Sequence, residues 1–243
     1  MIDQLLAELR KMRSTRTNLA LLAGMVALIL LFVLVNGLAA GIDLHTEKNQ
    51  HALLAVGTRG ALIAALIGVM AITSEFRHGT IRPTFVVTPH RSQVLVAKVI
   101  ASLLMGIAFG ALAIALSFGI GYAILAGKGI HFTLDTHHVL MLVLGSLAMT
   151  ALWAALGVGL GALVKNQVLA VVGLILWVML VDVLLRGMVP TAGRFTPTAV
   201  SDSFTAGVEN YLLSPAVGGL LLLTYTTALV AAGALAVARR DVT

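Results

Sequence analysis

Asp182 is the one acidic residue within a long apolar segment of this sequence, and Arg186 follows four residues later on the same helical face. A charge in the middle of a bilayer costs about 2.5–3.5 kcal/mol on insertion scales, and less near the membrane surface. Pairing near the end of the segment relieves most of this cost, which favours a structural ion pair; the alternative is a charged gate at that end. Arg59, in another apolar segment, is expected to reach the membrane surface or to contact Asp182.

The other residues that could do chemistry form no recognisable catalytic or metal-binding set. His137 and His138 are adjacent, a spacing that disfavours joint ligation of one ion from a helix, and no acid-rich group accompanies the histidines. A Ser/His/Asp set, paired carboxylates and an HExxH motif are all lacking, and there is no cysteine. We therefore expect no metal site and no catalysis in this chain.

A nucleotide-binding motif is also lacking. Walker A requires G-x-x-x-x-G-K-[ST] after a strand. The nearest match is GYAILAGKG at residues 121–129, which has five residues between its first two glycines and no Ser or Thr after the lysine. The chain is therefore expected to bind no cofactor, and any ATP and Mg²⁺ would be bound by a separate partner subunit.

The composition is that of an integral membrane protein. The 243 residues are 59% hydrophobic and 11% charged, with a mean hydropathy of +1.03, against about 45–50% and about 25% in soluble domains. Apolar runs of this length can cross a hydrocarbon core about 30 Å thick, and in lipid they must be helices because the backbone has to satisfy itself. We predict a single all-α transmembrane domain over residues 1–243. Its six spans are residues 19–40, 52–73, 94–125, 139–164, 168–185 and 216–238.

The distribution of Lys and Arg predicts the orientation of these spans. A six-span arrangement places eleven of these cations on the side of the two termini and five on the other side. The eleven are Arg10, Lys11, Arg13, Arg16, Arg77, Arg82, Arg91, Lys98, Lys165, Arg239 and Arg240; the five are Lys48, Arg59, Lys128, Arg186 and Arg194. Both termini are therefore predicted to be cytoplasmic. Topology also accounts for the net charge of +6 better than nucleic acid, which is not expected as a partner.

Two segments outside the spans are predicted to be helical. In residues 1–17, apolar side chains recur at helical spacing and the charged residues occupy the remaining faces, which is typical of an amphipathic helix at a lipid surface. Its apolar residues are Ile2, Leu5, Leu6, Leu9 and Met12, and its charged residues include Asp3, Glu8, Arg10, Lys11 and Arg13. This helix either anchors the first span alone or also contacts a cytoplasmic partner. The outer loop, residues 186–215, is long enough to contain a short helix near residues 200–212, lying on the membrane surface or dipping into it.

Two features of the spans concern their packing. Trp153 and Trp177 lie in the middle of spans, away from the interfaces where tryptophan is enriched. They are expected to pack in the core or, alternatively, to line a path for an amphipathic substrate. Pairs of glycines four residues apart favour close approach of helices; they are Gly37/Gly41, Gly106/Gly110 and Gly157/Gly161.

A basic segment, SEFRHGTIRPTFVVTPHRS, separates the second and third spans at residues 74–92 and is called the insert. Gly79 suits the end of a helix that continues from span 2, and Pro83 sets a second break. Thr88 and Pro89 suit the start of span 3. The insert is thus a short, rigid connection between two spans, whose cations favour an acidic partner surface. The alternative is that these cations only contact lipid phosphates.

The insert with its continuation, SEFRHGTIRPTFVVTPHRSQVLVAK, resembles the corresponding region of ABC-2-type permeases, the membrane subunits of ATP-driven exporters. A second segment, GLGALVKNQVLAVVGLILW at residues 159–177, is similar to the tight turn between spans 4 and 5 of that family. The resemblance implies that the insert is a coupling element that docks on an ATP-binding subunit. By this resemblance the coupling residues are Glu75, Arg77, Gly79, Thr80, Arg82 and Pro83.

The resemblance also implies the assembly and the cargo. The partners would be an ABC ATP-binding subunit and a second copy of the permease or a related one, embedded among the lipids of the cytoplasmic membrane. The exported cargo would be an amphipathic drug, antibiotic, peptide or lipid. Two alternatives stay open: a secondary transporter or channel that needs no ATPase, and a membrane scaffold that binds a cytoplasmic partner through the insert.

Overall fold

The computed structural model describes residues 2–39, 42–80, 91–205 and 213–239, and within these ranges the chain is helical and contains no strand. Among the described residues, six helices are long and apolar enough to cross a membrane. They are Arg16–Leu38 (span 1), Glu47–Arg77 (span 2), Arg91–Gly127 (span 3), Thr136–Val164 (span 4), Gln167–Met188 (span 5) and Pro215–Arg239 (span 6). The protein is therefore an all-helical, multi-pass membrane protein.

Spans 2 and 5 contain irregular turns. Span 2 begins with the helix Glu47–Leu54, continues through a 3₁₀ turn at Ala55–Arg59 and ends with the helix Gly60–Arg77. Span 5 contains a π-helical turn at Trp177–Val181 between two α-helical stretches, Gln167–Leu176 and Asp182–Met188. A π turn inserts one extra residue into the helix and rotates the side chains that follow it.

Left-handed backbone conformations follow three of the spans, at Gly79 after span 2, Gly129 after span 3 and Lys165 after span 4. Span 2 runs on through Arg77, as the sequence pattern predicted, and Gly79 then has a φ of 69°. Between spans 4 and 5, Lys165 has a φ of 59° and its N–H donates to Gly161 O. The next residue, Asn166, caps span 5 because its side chain accepts the Leu169 N–H. This turn leaves spans 4 and 5 antiparallel with almost no loop between them.

Span 4 crosses spans 2 and 3 at glycines. A Cβ atom at Gly68 of span 2 would lie 1.9 Å from Ala154 O of span 4, and one at Gly157 of span 4 would lie 2.1 Å from Ala65 O of span 2. On span 3, a Cβ at Gly106 would lie 2.7 Å from Ala151 Cα. The backbones of these helices therefore touch directly, which only glycine permits.

Spans 1, 5 and 6 lie outside this core and leave large apolar side chains exposed. The N-terminal helix, Ile2–Ser14, packs against span 3 and span 1 through Leu5, Leu9 and Met12. We call the end of the bundle near this helix the insert end, and the opposite end, which is predicted to face outward, the outer end. The most exposed apolar residues of spans 1 and 5 include Leu31, Val35, Leu38, Val168, Leu169, Leu176, Met179, Leu180 and Val183.

The segment between spans 5 and 6 is folded where it is described. It forms a short turn of helix at Pro190–Gly193 and a longer one at Pro197–Phe204, here called the outer helix. The predicted helix near residues 200–212 overlaps the outer helix, although residues 206–212 lie outside the described part of the chain. The outer helix packs on spans 4 and 6, so this segment is attached to the bundle.

Candidate functional site

Four charged side chains join the N-terminal helix to spans 2 and 3, and we call them the charge cluster: Glu8, Lys11, Glu75 and Lys98. Lys98 Nζ lies 2.8 Å from Glu8 Oε2, 2.8 Å from Glu75 Oε1 and 3.1 Å from Ala71 O. Lys11 Nζ lies 3.0 Å from Glu8 Oε1 and 2.9 Å from Glu75 Oε1. Each lysine therefore contacts both glutamates, and the four formal charges cancel.

Two members of the charge cluster lie close to the two ends of the insert in the sequence. Glu75 is in the last turn of span 2, and Lys98 is about two turns into span 3, on the other side of residues 81–90. Glu8 and Lys11 are one helical turn apart on the N-terminal helix. The cluster thus fixes the two ends of the insert to each other and to a third helix.

Burial makes these contacts energetically important. The exposed fraction of the side chain is 1% for Lys98, 8% for Glu8 and 9% for Glu75, whereas Lys11 is 53% exposed. Removing one partner of a buried ion pair leaves an uncompensated charge and typically costs about 3–5 kcal/mol. The three nitrogen-bound protons of Lys98 each have an acceptor, so its charge is fully solvated by protein groups.

Burial and the neighbouring glutamates change the pKa of Lys11 in opposite directions. Partial burial by itself lowers the pKa of its ammonium group, but hydrogen bonds and charge attraction from Glu75 and Glu8 outweigh burial. The net result is a pKa raised above the ordinary value of 10.5. Lys11 is therefore a charged partner of the two glutamates throughout the neutral pH range.

The sequence-based assignment of Glu8 to the polar faces of the N-terminal helix is wrong. Leu5, Glu8, Leu9 and Met12 follow the i, i+3, i+4, i+7 spacing of a single face, and Glu8 is buried on it. An acid on an apolar face requires a buried cation, and Lys98, a lone cation in an apolar run, is the matching group. That pairing was the signal in the sequence that would have located the charge cluster.

The structure distributes the predicted coupling residues between the charge cluster and the surface. Glu75 faces inward, so its carboxylate holds helices together and is not displayed on the insert surface. Arg77 is exposed, and its NH1 lies 3.4 Å from Gln167 Oε1. Gly79 and Thr80 are exposed and end the described part of span 2. The remaining two coupling residues, Arg82 and Pro83, lie outside the described residues.

The turn between spans 4 and 5 contacts the same end of span 2. Lys165 Nζ lies 5.5 Å from the centre of the Phe76 ring, within the range of a cation–π contact. Together with the Arg77–Gln167 contact, this brings the segment at residues 159–177 against the start of the insert. Helix ends from spans 2, 3, 4 and 5 and the N-terminal helix therefore converge at the insert end.

A cleft of about 480 Å³ opens beside the charge cluster, between the N-terminal helix and span 2. Most of its lining residues are polar, and they include Lys11, Glu75, Arg77 and Thr80. Among the described residues, Glu75 Oε2 has no hydrogen-bond partner, although it is buried. The cleft therefore offers the exposed cations Lys11 and Arg77 to a group that enters from the insert side.

At the outer end, the structure places Asp182 and Arg186 in contact, with Nε 3.0 Å from Oδ2. Arg186 also donates to Asp202 Oδ2 at 2.8 Å and to Thr198 Oγ1, and Thr198 donates to Asp182. These contacts link span 5 to the outer helix. Arg59 is exposed at the end of the 3₁₀ turn of span 2. The contacts described for Asp182 are with Arg186 and Thr198, and the predicted alternative contact with Arg59 is not among them.

The histidines near the start of span 4 come closer together than their spacing suggested. The possible ligand atoms of Asp135, His137 and His138 lie within 4.8 Å of one another. Asp135 accepts the His138 N–H at 2.8 Å, and this hydrogen bond lowers the pKa of the Asp135 carboxyl. These are the contacts of a helix N-cap. Adjacent histidines therefore do not by themselves exclude joint ligation of an ion, and the absence of a metal site stays a prediction.

Trp153 and Trp177 line one cavity of about 680 Å³, bounded by spans 4, 5 and 6 and by the segment before the outer helix. We call it the outer cavity. Trp153 is buried on span 4, whereas Trp177 is partly exposed on span 5. The structure thus brings together the two residues that the sequence suggested as path-lining.

The sequence was also compared with known proteins. No protein-family model and no curated protein sequence matches this chain.

Proposed function

We propose that this chain is the membrane-spanning permease subunit of an ATP-driven exporter of the ABC-2 type. The observation that carries this proposal is the charge cluster, which fixes both ends of the insert to the N-terminal helix through buried ion pairs. The resemblance of the insert and of the span 4–5 turn to ABC-2-type permeases supports the same conclusion.

Coupling to a subunit outside the membrane requires that force be transmitted to the transmembrane helices. A subunit outside the membrane can move transmembrane helices only through a contact that does not yield under load. Span 2 leads into the insert and span 3 follows it. The charge cluster holds these two spans together within two helical turns of the insert. A displacement of the insert would therefore move both spans and the N-terminal helix as one unit.

The surface near the insert suits a partner with acidic and hydrogen-bonding groups. Lys11 and Arg77 are exposed beside the cleft, and Gln167 and Lys165 extend the same surface. Such cations favour association with a negatively charged surface. The proposed partner is an ATP-binding subunit, which would hold ATP and Mg²⁺ and act as the enzyme of the complex.

The exposed apolar faces of spans 1 and 5 support pairing with a second permease chain. In a bilayer these faces are compatible with lipid, yet a translocation path needs a boundary on more than one side. We place the complex in the cytoplasmic membrane with both termini in the cytoplasm. The proposed path lies between the two permease chains and exports an amphipathic drug, antibiotic, peptide or lipid.

A second candidate is an ion-coupled secondary transporter, because the charge cluster provides buried ionisable groups. Two facts favour the first proposal. Each glutamate of the cluster is held by two lysines, and the cluster lies at the insert end next to the N-terminal helix, away from the middle of the spans. A group that carries protons or cations across the membrane has to be released from its partners during the cycle.

The test is co-expression with candidate ATP-binding proteins encoded by neighbouring reading frames, followed by purification and reconstitution into liposomes. We expect an ATPase to co-purify and ATP to drive export of a fluorescent amphipathic dye. Arg82→Glu in the insert should reduce ATP-dependent export, whereas Lys48→Glu, at the opposite end of the bundle, should not.

Three results would contradict the proposal. Transport driven by an ion gradient without ATP would support the secondary transporter. Stable binding of a cytoplasmic protein without any transport would support a scaffold. Unchanged coupling in Arg82→Glu would remove the insert from the transmission path.

A further inference from the structure

The outer cavity has the properties of a binding site for an apolar group, because its lining is almost entirely apolar. Its volume of about 680 Å³ falls within the range of about 300–1,000 Å³ typical of ligand pockets. It extends along the middle and outer parts of span 5, from Gly173 through Trp177 to Leu185. Apolar cavities of this kind stay free of water and bind apolar ligands.

Three polar side-chain groups on its lining are engaged within the protein. Trp153 Nε1 donates to Ser201 Oγ at 2.8 Å, and Tyr225 OH donates to Phe195 O at 2.9 Å. Thr196 Oγ1 donates to Gly193 O at 2.8 Å. An occupant that placed polar groups inside would lose its hydrogen bonds to water without replacement. The buried part of the occupant must therefore be apolar.

A cation stands at the rim. Arg194 is exposed, and its guanidinium carbon lies 4.8 Å from the centre of the Phe195 ring, which lines the cavity. The neighbouring acids, Asp182 and Asp202, both contact Arg186. Within the described residues Arg194 makes no ion pair, so its guanidinium is available to an anionic group just outside the cavity.

We infer that the outer cavity binds one acyl chain of an anionic phospholipid, with the lipid phosphate at Arg194. An acyl chain in this cavity contacts Trp177 of span 5 and Trp153 of span 4, which both line it. The phosphate pairs with the guanidinium by charge-assisted hydrogen bonds. This inference goes beyond the proposed function and does not depend on an ATP-binding partner.

The chain itself provides the probe, because Trp153 and Trp177 are its only tryptophans and both line the cavity. Trp177→Phe leaves Trp153 as the sole tryptophan, and its 2% exposure keeps it away from lipid outside the protein. We would reconstitute this variant in phosphatidylcholine containing phosphatidylglycerol with brominated acyl chains. Bromine quenches tryptophan only at close range, so quenching of Trp153 measures occupancy of the cavity.

Matched glycine variants provide the control. An added Cβ at Gly173 has no atom within 4 Å and lies on the cavity lining, so Gly173→Leu fills the site without a backbone clash. Gly119 of span 3 has equally open surroundings and does not line the cavity. We expect quenching to be lost in Gly173→Leu and retained in Gly119→Leu. In the parent variant, Trp177→Phe, adding unbrominated phosphatidylglycerol should displace the brominated lipid and restore the fluorescence of Trp153. This competition tests occupancy of the cavity even if Gly173→Leu does not fold.

The head-group part of the inference has its own test. Arg194→Gln should weaken competition by phosphatidylglycerol about tenfold, the effect of one charge-assisted hydrogen bond, and should weaken competition by phosphatidylcholine less, because its choline cation offsets the charge of the phosphate. Equal quenching by brominated phosphatidylcholine and phosphatidylglycerol would overturn the anionic preference. Absence of quenching in the parent, or its persistence in Gly173→Leu, would overturn the site. Neither result would affect co-purification of an ATPase, so failure here is distinct from failure of the proposed function.

Discussion

At the scale of single residues, the charge cluster is the feature with the largest energetic consequence. Lys98 has three acceptors and is almost fully buried, so its charge is stabilised only while Glu8 and Glu75 stay in place. A hydrophobic replacement of one member does not produce a neutral core, because it leaves the opposite charges behind.

Lys98→Met tests this dependence. The substitution leaves two buried glutamates with Lys11 alone, and we expect a loss of about 3–5 kcal/mol in stability. Thermal unfolding in detergent, followed by circular dichroism, measures the change. Adding Glu75→Gln to Lys98→Met should recover part of the loss. Lys48→Met, an exposed lysine at the outer end, is the matched control, and an equal effect of the two single substitutions would contradict the cluster's role.

The raised pKa of Lys11 predicts an alkaline limit to docking of the N-terminal helix. A raised pKa means that the folded state holds the proton more tightly, so the contribution is complete below the ordinary value of 10.5 and is lost as pH rises through the folded pKa. Hydrogen exchange of residues 2–14 should therefore be constant from neutral pH to about pH 10, once corrected for intrinsic rates. Protection should then fall, and Lys11→Met should remove this alkaline transition. If the alkaline transition is the same in Lys11→Met, it belongs to another titratable group.

At the scale of helices, contact between spans 2 and 4 depends on missing side chains. Gly68 and Gly157 each face a carbonyl oxygen of the other helix, so the crossing has no room for a methyl group. The glycine spacing at Gly157 and Gly161 indicated close packing in the sequence. It did not indicate the partner, because spacing on one helix carries no information about which neighbour lies opposite.

Gly157→Ala should separate spans 2 and 4. Overpacking typically costs about 1–3 kcal/mol, and a contact with backbone cannot relax by rotation of a side chain. Gly119→Ala is the opposite case, since an added Cβ there meets nothing within 4 Å and alanine favours the helix by up to about 1 kcal/mol. Unfolding temperatures in detergent should thus fall for Gly157→Ala and stay level or rise for Gly119→Ala. Equal unfolding temperatures would contradict the close crossing.

At the scale of the whole molecule, the sequence was sufficient for the six spans because each is an apolar run that hydropathy identifies directly. Extra length at the start of span 2 was missed, since Glu47–His51 is polar and is helical through the Thr46 cap and packing. The charge cluster was missed because it joins residues up to 90 positions apart. Only three-dimensional placement turns Glu8 from a charged residue on a surface helix into the counter-ion of Lys98.

The predicted orientation can be tested without altering the bundle, because the chain has no cysteine. His131→Cys lies in the connection between spans 3 and 4, and Arg13→Cys lies on the N-terminal helix; both positions are exposed. A membrane-impermeant maleimide applied to intact cells should label His131→Cys. It should label Arg13→Cys only after the cells are permeabilised. The reverse pattern would invert the orientation and place the insert outside the cell.

The charge cluster also has a consequence for biosynthesis. Ribosomes deliver the N-terminus first, so Glu8 and Lys11 are at the membrane surface before Glu75 and Lys98 leave the exit tunnel. Glu75 and Lys98 then arrive as opposite charges on consecutive spans and neutralise each other as a hairpin. Until span 3 brings Lys98, the only member of the charge cluster that can pair with Glu8 is Lys11 on the same helix, so the N-terminal helix gains its full set of ion pairs only on the completed hairpin. Its docking therefore marks the point at which the first half of the bundle has been correctly inserted.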